Sequence, residues 1–163
     1  MAAPYLGRMD MHSLLGLGGF FGANFAAALS GAFFKPGAWY DGLRKPSWNP
    51  PNWAFPIAWT ALYTMIAVAG WLVWREVGLG FPIAVYAVQL VLNAAWSWLF
   101  FGLRRPDLAF AELVVFWLSI GATILVFAPV SALAAWLMVP YFAWVSFAGV
   151  LNWKLWQLNP ARA

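Results

Sequence analysis

Long apolar stretches alternate with short polar connections along this chain. Five stretches reach the roughly 20 apolar residues that a membrane-spanning helix needs; they cover residues 11–34, 53–74, 81–101, 108–127 and 133–156. Because the connections are short, successive helices are expected to be antiparallel neighbours. The pattern predicts an all-α integral membrane protein, a five-transmembrane-helix bundle that forms a single domain over residues 1–163.

Composition excludes the soluble classes of protein. The chain is 64% hydrophobic and 9% charged, whereas a soluble domain carries about 25% charged residues. The net charge of +4 is scattered over short loops, so no nucleic-acid partner is expected. The chain has no cysteine and one histidine, His12, so we predict no disulfide, no thiolate chemistry and no metal site.

The cations are distributed unevenly between the two sides of the predicted membrane. The N-terminal tail and the second loop hold Arg8 and Arg75, while the other side holds Lys35, Arg44, Lys45, Arg104, Arg105, Lys154 and Arg162. The positive-inside rule places the richer side in the cytoplasm. In a bacterial inner membrane the N-terminus would therefore lie outside and the C-terminus inside. An outer-membrane location stays open, and there the rule does not set orientation.

The third apolar stretch carries a polar stripe. Gln89, Asn93 and Trp96 are spaced i, i+4 and i+7, which puts them on one helical face. Amides facing lipid are costly, so this face should point into the bundle. Two interpretations remain open: hydrogen bonding between helices, or the polar wall of a ligand pocket.

Two further stretches add aromatic rings at helical spacing. Trp59 and Tyr63 are one turn apart, and Trp144 precedes Ala148 by one turn. Tyr141 and Asn152 extend the row that Trp144 and Ala148 form in the fifth stretch. Aromatic walls with a few polar groups are typical of sites for flat, mostly apolar molecules. For any single tryptophan, packing or anchoring at the membrane surface is the alternative.

The first stretch is rich in small residues. Gly18 and Gly22 form a GxxxG, and Ala23, Ala27 and Gly31 continue the row. Such rows let helix backbones approach closely. Packing within the bundle is the favoured role, and the seam of a homodimer is the alternative.

One acidic residue falls within a predicted span. Glu112 lies near the start of the fourth stretch, and an acid inside a membrane is a functional candidate. The alternative is an interfacial acid that pairs with Arg104 or Arg105. Asp107 is expected to cap the helix.

The first loop is long for a compact bundle. It spans residues 35–52 and contains Pro36, Pro46, Pro50 and Pro51. Prolines limit the backbone entropy of such a loop, and long loops are often lids over binding sites. We predict a lid over the mouth of a pocket; a passive interfacial loop is the alternative.

Five strings carry a resemblance to a known family. They are GGFFGANF (18–25), WYDGLRKPSWNPPNW (39–53), AWTALY (58–63), QLVLNAAWSWLFFG (89–102) and VPYFAWVSFAGVLN (139–152). Together and in this order they resemble the translocator protein family, also called tryptophan-rich sensory protein or peripheral benzodiazepine receptor. The resemblance covers nearly the whole chain, and KPSWNPP and QLxLNxxW are its most specific parts.

The resemblance implies a homodimeric five-helix bundle that binds porphyrins such as protoporphyrin IX and other haem-type tetrapyrroles, with a sensory or transport role. No cofactor is required; the porphyrin is the ligand or the substrate. The implied alternative is light-dependent porphyrin degradation by Trp59 and Trp144, and the third hypothesis is a membrane scaffold without a small ligand. The expected ligand-binding residues, from the family match and the stripes together, are Ala23, Ala26, Trp59, Tyr63, Gln89, Asn93, Trp96, Trp144, Ala148 and Leu151.

The chain departs from the family's pattern in two respects. Trp153 and Lys154 stand where the sterol-recognition pattern has tyrosine, and Gln157 replaces its cation. That pattern is itself weakly specific, so sterol binding is not expected here. Leu108 replaces a pocket tryptophan of animal members, which argues against animal-type drug affinity.

Overall fold

The structure, a computed structural model, describes residues 10–160 and consists there of helices and loops without strands. The helices are α1 (Met11–Phe33), α2 (Ala38–Asp41), α3 (Ala54–Val77), α4 (Phe81–Ser97), α5 (Pro106–Phe127) and α6 (Ala132–Leu158). A π-helical turn, Trp98–Gly102, continues α4. All but α2 are long and apolar enough to cross a membrane, α4 together with its π-turn. The predicted all-α fold with five spans is confirmed.

Local sequence signals set the helix ends. The side chain of Asp10 accepts a hydrogen bond from the Ser13 amide at the start of α1, and Ser131 caps α6 in the same way. Pro106 opens α5, where a proline is favoured because its missing N–H needs no partner in the first turn. Gly78 ends α3 at a φ of 65°, a conformation that glycine adopts without strain.

The observed helices are slightly longer than predicted at several ends. α3 continues to Val77 instead of residue 74, because Arg75 and Glu76 extend the helix beyond the apolar layer. α5 begins at Pro106 instead of residue 108, and α6 spans Ala132–Leu158 instead of 133–156. The prediction that Asp107 caps α5 is wrong, since Arg105 occupies the cap position and Asp107 lies in the first turn.

The five long helices form a closed ring. α1 packs on α3 and α4, α3 also packs on α6, and α5 lies between α4 and α6. Buried side chains from all five long helices belong to one core cluster, among them Ala27, Ile66, Tyr86, Ile120 and Tyr141. The ring therefore has an interior onto which every long helix turns one face.

The small-residue row of α1 does not pack as expected. A Cβ added at Gly18 or Gly22 would meet nothing within 4 Å, so both glycines face away from the bundle. The close approach occurs instead at Gly16, against the ring of Trp74, and at Gly70 of α3, against Phe20 and Tyr86. The prediction that the GxxxG serves packing within the bundle is wrong for these two glycines.

Candidate functional site

The first loop is folded onto one end of the bundle. Tyr40 and Leu43 are buried there in an apolar cluster with Phe100, Leu151 and Leu155. Burial raises the pKa of Tyr40, so its hydroxyl stays neutral. The loop thus covers the end of the ring at which α4 and α6 finish.

Two side chains hold the loop in this position. Asn159, just after α6, donates to the backbone carbonyl of Arg44 at 2.9 Å and accepts from the amide of the same residue at 2.9 Å. Lys45 donates from Nζ to the carbonyl of Tyr40 at 2.7 Å and lies 4.6 Å from the centre of the Tyr40 ring. The ammonium of Lys45 is therefore engaged within the loop.

The polar stripe of α4 forms a hydrogen-bonded network between helices. Tyr63 donates to Oδ1 of Asn93 at 2.6 Å, and Nδ2 of Asn93 donates to the hydroxyl of Tyr141 at 2.8 Å. Tyr141 in turn donates to Oε1 of Gln89 at 2.9 Å. Two predicted site residues, Gln89 and Asn93, thus bond Tyr141 directly, and Tyr63 joins them through Asn93. The network joins α3, α4 and α6.

Trp59 lies against this network. Its ring centre is 5.3 Å from that of Tyr63 and 6.2 Å from that of Tyr141, which it meets edge to face. The three rings form an aromatic wall on the α3 and α6 side of the interior. This is the arrangement that the i, i+4 spacing of Trp59 and Tyr63 predicts.

Two other predicted residues lie directly beneath the first loop. Trp96 stacks on Phe100 with ring centres 5.0 Å apart and donates from Nε1 to Oδ1 of Asn152 at 3.0 Å. Asn152 donates to the carbonyl of Pro106 at 2.8 Å, which ties α6 to the start of α5. Leu151 is buried in the cluster under the loop. Trp96 and Leu151 therefore form the floor of the loop cluster.

Trp144 faces a groove on the outside of the ring. The groove lies between α3 and α6, has a volume of about 520 Å³ and is almost wholly apolar. Its lining residues are Ala58, Ala61, Leu62, Met65, Pro140, Ala143, Trp144 and Phe147. The ring of Trp48, in the first loop, meets that of Phe147 edge to face, with ring centres 5.9 Å apart. The loop therefore reaches the end of the groove that Phe147 lines.

The remaining predicted residues are not gathered around one cavity. Ala23 and Ala26 are exposed on α1, and Ala148 is half-buried on α6. The structure therefore places the predicted set in three neighbouring environments: the tyrosine and amide network, the cluster beneath the loop, and the outer groove.

Sequence reasoning missed a second buried polar link. Nδ2 of Asn24 donates to the hydroxyl of Tyr86 at 2.6 Å, and Tyr86 donates to the carbonyl of Ile66 at 3.2 Å. The signal was present, since Tyr86 lies three residues before Gln89 and extends the polar stripe of α4 by one turn. With it, the stripe joins α4 to α1 as well as to α3 and α6.

The expected ion pair of Glu112 does not form. Arg105 bonds Asp107 through two hydrogen bonds, and this is the ion pair found over residues 10–160. Both carboxyl oxygens of Glu112 are buried and have no hydrogen-bond partner among the described residues. The predicted pairing with Arg104 or Arg105 is wrong, because neither oxygen of Glu112 has an ion-pair or hydrogen-bond partner among residues 10–160.

Known proteins resemble the chain over most of its length. A family profile described as the TspO/MBR family matches residues 15–157. Protein CrtK of Rhodobacter capsulatus is 44% identical over 86% of this chain and 91% of its own. The tryptophan-rich sensory protein of Cereibacter sphaeroides is 43% identical, over 82% and 85%. The translocator protein of Bos taurus is 39% identical, over 99% and 95%. The chain is an integral membrane protein that belongs to the TspO/MBR family.

Proposed function

We propose that this membrane protein is a receptor or carrier that binds porphyrins and related apolar tetrapyrroles and takes part in their sensing or transport. The observation that carries the proposal is the aromatic wall of Trp59, Tyr63 and Tyr141. Amide side chains lie behind this wall, and the folded first loop lies above it. A porphyrin is flat and apolar on its faces, so stacking on such a wall suits it. The names of two relatives, tryptophan-rich sensory protein and translocator protein, support this role.

The propionates of a porphyrin need cations at the edge of the site. Arg44 lies in the first loop, exposed to solvent, and its backbone is held by Asn159. Lys45 is the weaker candidate because its ammonium already bonds backbone carbonyls. We therefore propose that Arg44 receives a propionate through charge-assisted hydrogen bonds.

Binding is tested by titrating the detergent-purified protein with protoporphyrin IX in the dark and following the Soret band. We expect saturable binding that weakens about tenfold in Trp59→Ala, because each lost aromatic contact is worth roughly 0.5–1.5 kcal/mol beyond the area it buries. Trp136→Ala is the matched control, since this tryptophan is 71% exposed on the outside of α6. Absence of saturable binding in the wild type would contradict the proposal.

Light-dependent porphyrin degradation is the second candidate function. The contact of Trp59 with two tyrosine rings favours it, because indoles and phenols can both supply electrons to an excited porphyrin. Illumination of the bound complex tests it with the Trp59→Phe/Trp144→Phe variant, which keeps an aromatic ring at both sites but removes the indoles. Loss of pigment that needs the protein and both tryptophans supports degradation. Equal bleaching with and without protein contradicts it.

A scaffold without a small ligand is the third candidate. It is favoured by the way in which the amides of Asn93 and Gln89 bond tyrosine hydroxyls in the bundle interior, as expected for polar contacts between helices. The same titration separates this candidate from the first two, because a scaffold leaves the Soret band unchanged at every porphyrin concentration.

We propose the orientation with the first loop in the cytoplasm. Arg44 and Lys45 lie at one end of the bundle with the third loop and the end of α6, whereas Arg8 and Arg162 lie outside the described residues.

The chain has no cysteine, so single cysteines report location directly. We expect Gly37→Cys to resist and Glu76→Cys to react with an impermeant maleimide added to intact spheroplasts. The reverse pattern would contradict the orientation.

We also propose that the chain forms a homodimer. The open surface at Gly18 and Gly22 on α1 supports this, since neither glycine packs within the bundle. Light scattering of the detergent-solubilised protein gives the mass of the assembly. A monomer mass at every protein concentration would contradict the proposal.

A further inference from the structure

The outer groove between α3 and α6 has a neighbour on the same side of the bundle. This second groove has a volume of about 630 Å³ and lies along the outer face of α3. Its lining residues are Pro56, Ile57, Thr60, Ala61, Thr64 and Met65. Ala61 and Met65 line both grooves, so the two adjoin along one helix of the bundle.

The polar groups of the two grooves are already satisfied. The hydroxyl of Thr60 donates to the carbonyl of Pro56 at 2.7 Å, and that of Thr64 donates to the carbonyl of Thr60 at 2.9 Å. The other lining side chains are apolar. An occupant therefore needs no hydrogen-bonding groups along this length, and a hydrocarbon chain meets that condition.

Exposed tryptophans surround the end of the outer groove that Phe147 lines. Trp48 contacts Phe147, Trp53 directly precedes α3 and is 69% exposed, and Trp153 near the end of α6 is 45% exposed. Tryptophans of this kind concentrate where the membrane meets water. This end of the groove therefore lies close to the level of the lipid headgroups.

A cation follows the groove along α6. Lys154 comes seven residues after Phe147, which places it on the same helical face and roughly 10 Å further along the axis. Its side chain is partly exposed, and its ammonium has no ion pair or hydrogen bond among residues 10–160. Lysines near the ends of spanning helices extend towards the headgroups. An apolar groove that leads to a free ammonium complements a molecule with hydrocarbon chains and an anionic head.

We propose that this face of α3 and α6 is a binding site for an anionic phospholipid. Its two acyl chains lie in the two adjoining grooves, and its phosphate accepts charge-assisted hydrogen bonds from Nζ of Lys154. The site lies outside the ring of helices and is separate from the aromatic wall of Trp59, Tyr63 and Tyr141. The lipid is thus a second ligand, and its binding does not depend on the proposed porphyrin site.

Two lipids with the same chains and different headgroup charges test the site. Detergent-purified protein is titrated with palmitoyl-oleoyl phosphatidylglycerol or with palmitoyl-oleoyl phosphatidylcholine, and native mass spectrometry resolves the protein with one bound lipid. We expect the wild type to bind the anionic lipid about fivefold more tightly, the advantage that one cation near a headgroup provides.

Lys154→Gln should remove this advantage and leave the affinity for phosphatidylcholine unchanged. Lys35→Gln is the matched control, because Lys35 is an exposed cation just after α1, at the same end of the bundle but away from both grooves. It should keep the preference of the wild type. Equal affinities of the wild type for the two lipids, or the same loss of preference in both variants, would overturn the role of Lys154.

The grooves themselves are tested by filling them. Ala61 is exposed and lines both grooves, so Ala61→Phe should weaken both lipids severalfold and leave their ratio unchanged. Ala122→Phe is the control, since Ala122 is exposed on α5 and lines neither groove. Unchanged lipid affinity in Ala61→Phe would overturn the proposal. Loss of a dimer mass in Ala61→Phe without loss of lipid would assign the grooves to a second copy of the chain and would also overturn it.

Porphyrin affinity and melting temperature of the same samples separate lipid binding from folding. Lys154→Gln and Ala61→Phe replace side chains that face away from the core, so both variants should melt like the wild type and bind porphyrin like it. A failure of porphyrin binding in the wild type leaves the lipid result intact, because the two ligands are measured separately.

Discussion

Replacing Gly70 by alanine should lower the stability of the bundle by about 1–3 kcal/mol, the usual cost of overfilling a packed core. A Cβ at Gly70 would lie 2.8 Å from ring atoms of both Phe20 and Tyr86. Neither ring moves away easily. Tyr86 is bonded to Asn24 at 2.6 Å, and Phe20 meets Tyr86 edge to face with ring centres 5.7 Å apart. The expected result is a clear fall in melting temperature in detergent.

Gly18→Ala is the matched control for this effect. Both residues are glycines within spanning helices, but a Cβ at Gly18 meets nothing within 4 Å. Alanine is the better helix former, so this variant should be as stable as the wild type or slightly more stable. If the two variants lost equal stability, helix propensity or the membrane environment would be responsible, and the close packing of α1, α3 and α4 at Gly70 would be disproved.

The fold could be predicted from the sequence because the length and composition of an apolar stretch are enough to define a spanning helix. The five spans, their short connections and the polar face of α4 all follow from the positions of apolar and polar residues. Gln89 and Asn93 faced inward as predicted because amides are costly in lipid, and both are buried.

The inner faces of the other helices were harder to predict. In a water-soluble bundle the apolar face marks the core, but in a membrane the outer face is apolar too. Trp136 and Leu125 are more than two-thirds exposed on the outside of the bundle, although nothing in their chemistry separates them from core residues. The same ambiguity explains why the GxxxG of α1 was predicted to pack within the bundle. The close helix contacts are made at Gly16 and Gly70 instead.

Partners across helices could not be predicted from spacing along one helix. The sequence showed that Tyr63 and Asn93 each face the interior, but not that they bond each other. It also indicated loop cations as partners of Glu112, because they are near in sequence. Arg105 instead pairs with Asp107, two residues away, since that contact forms at the exposed helix end without burying either charge.

Replacing Asn93 by leucine should destabilise the bundle and loosen the proposed porphyrin site. Asn93 accepts from Tyr63 at 2.6 Å and donates to Tyr141 at 2.8 Å, so its loss leaves the Tyr63 hydroxyl without an acceptor. An unsatisfied buried hydroxyl costs about 1–3 kcal/mol. The free energy of unfolding, measured by denaturation in detergent, should fall by an amount in this range.

A double-mutant cycle with Tyr63→Phe isolates the bond from other effects of the substitution. Each single variant leaves one group without its partner, whereas Tyr63→Phe/Asn93→Leu removes both groups at once. The double variant should therefore lose less stability than the sum of the two single losses, with a coupling of about 0.5–3 kcal/mol. Additive losses would mean that the hydroxyl and the amide do not interact.

Porphyrin affinity of the same variants tests whether the hydrogen-bonded network also supports ligand binding. Tyr63 carries one face of the aromatic wall, against which Trp59 lies at 5.3 Å, and the bond to Asn93 fixes the ring that Trp59 contacts. If the wall binds porphyrin, Asn93→Leu should weaken binding although leucine presents more apolar surface, because the wall then loses its fixed geometry. A variant that binds porphyrin more tightly would show that apolar area alone governs affinity and that the hydrogen-bonded network serves only the fold.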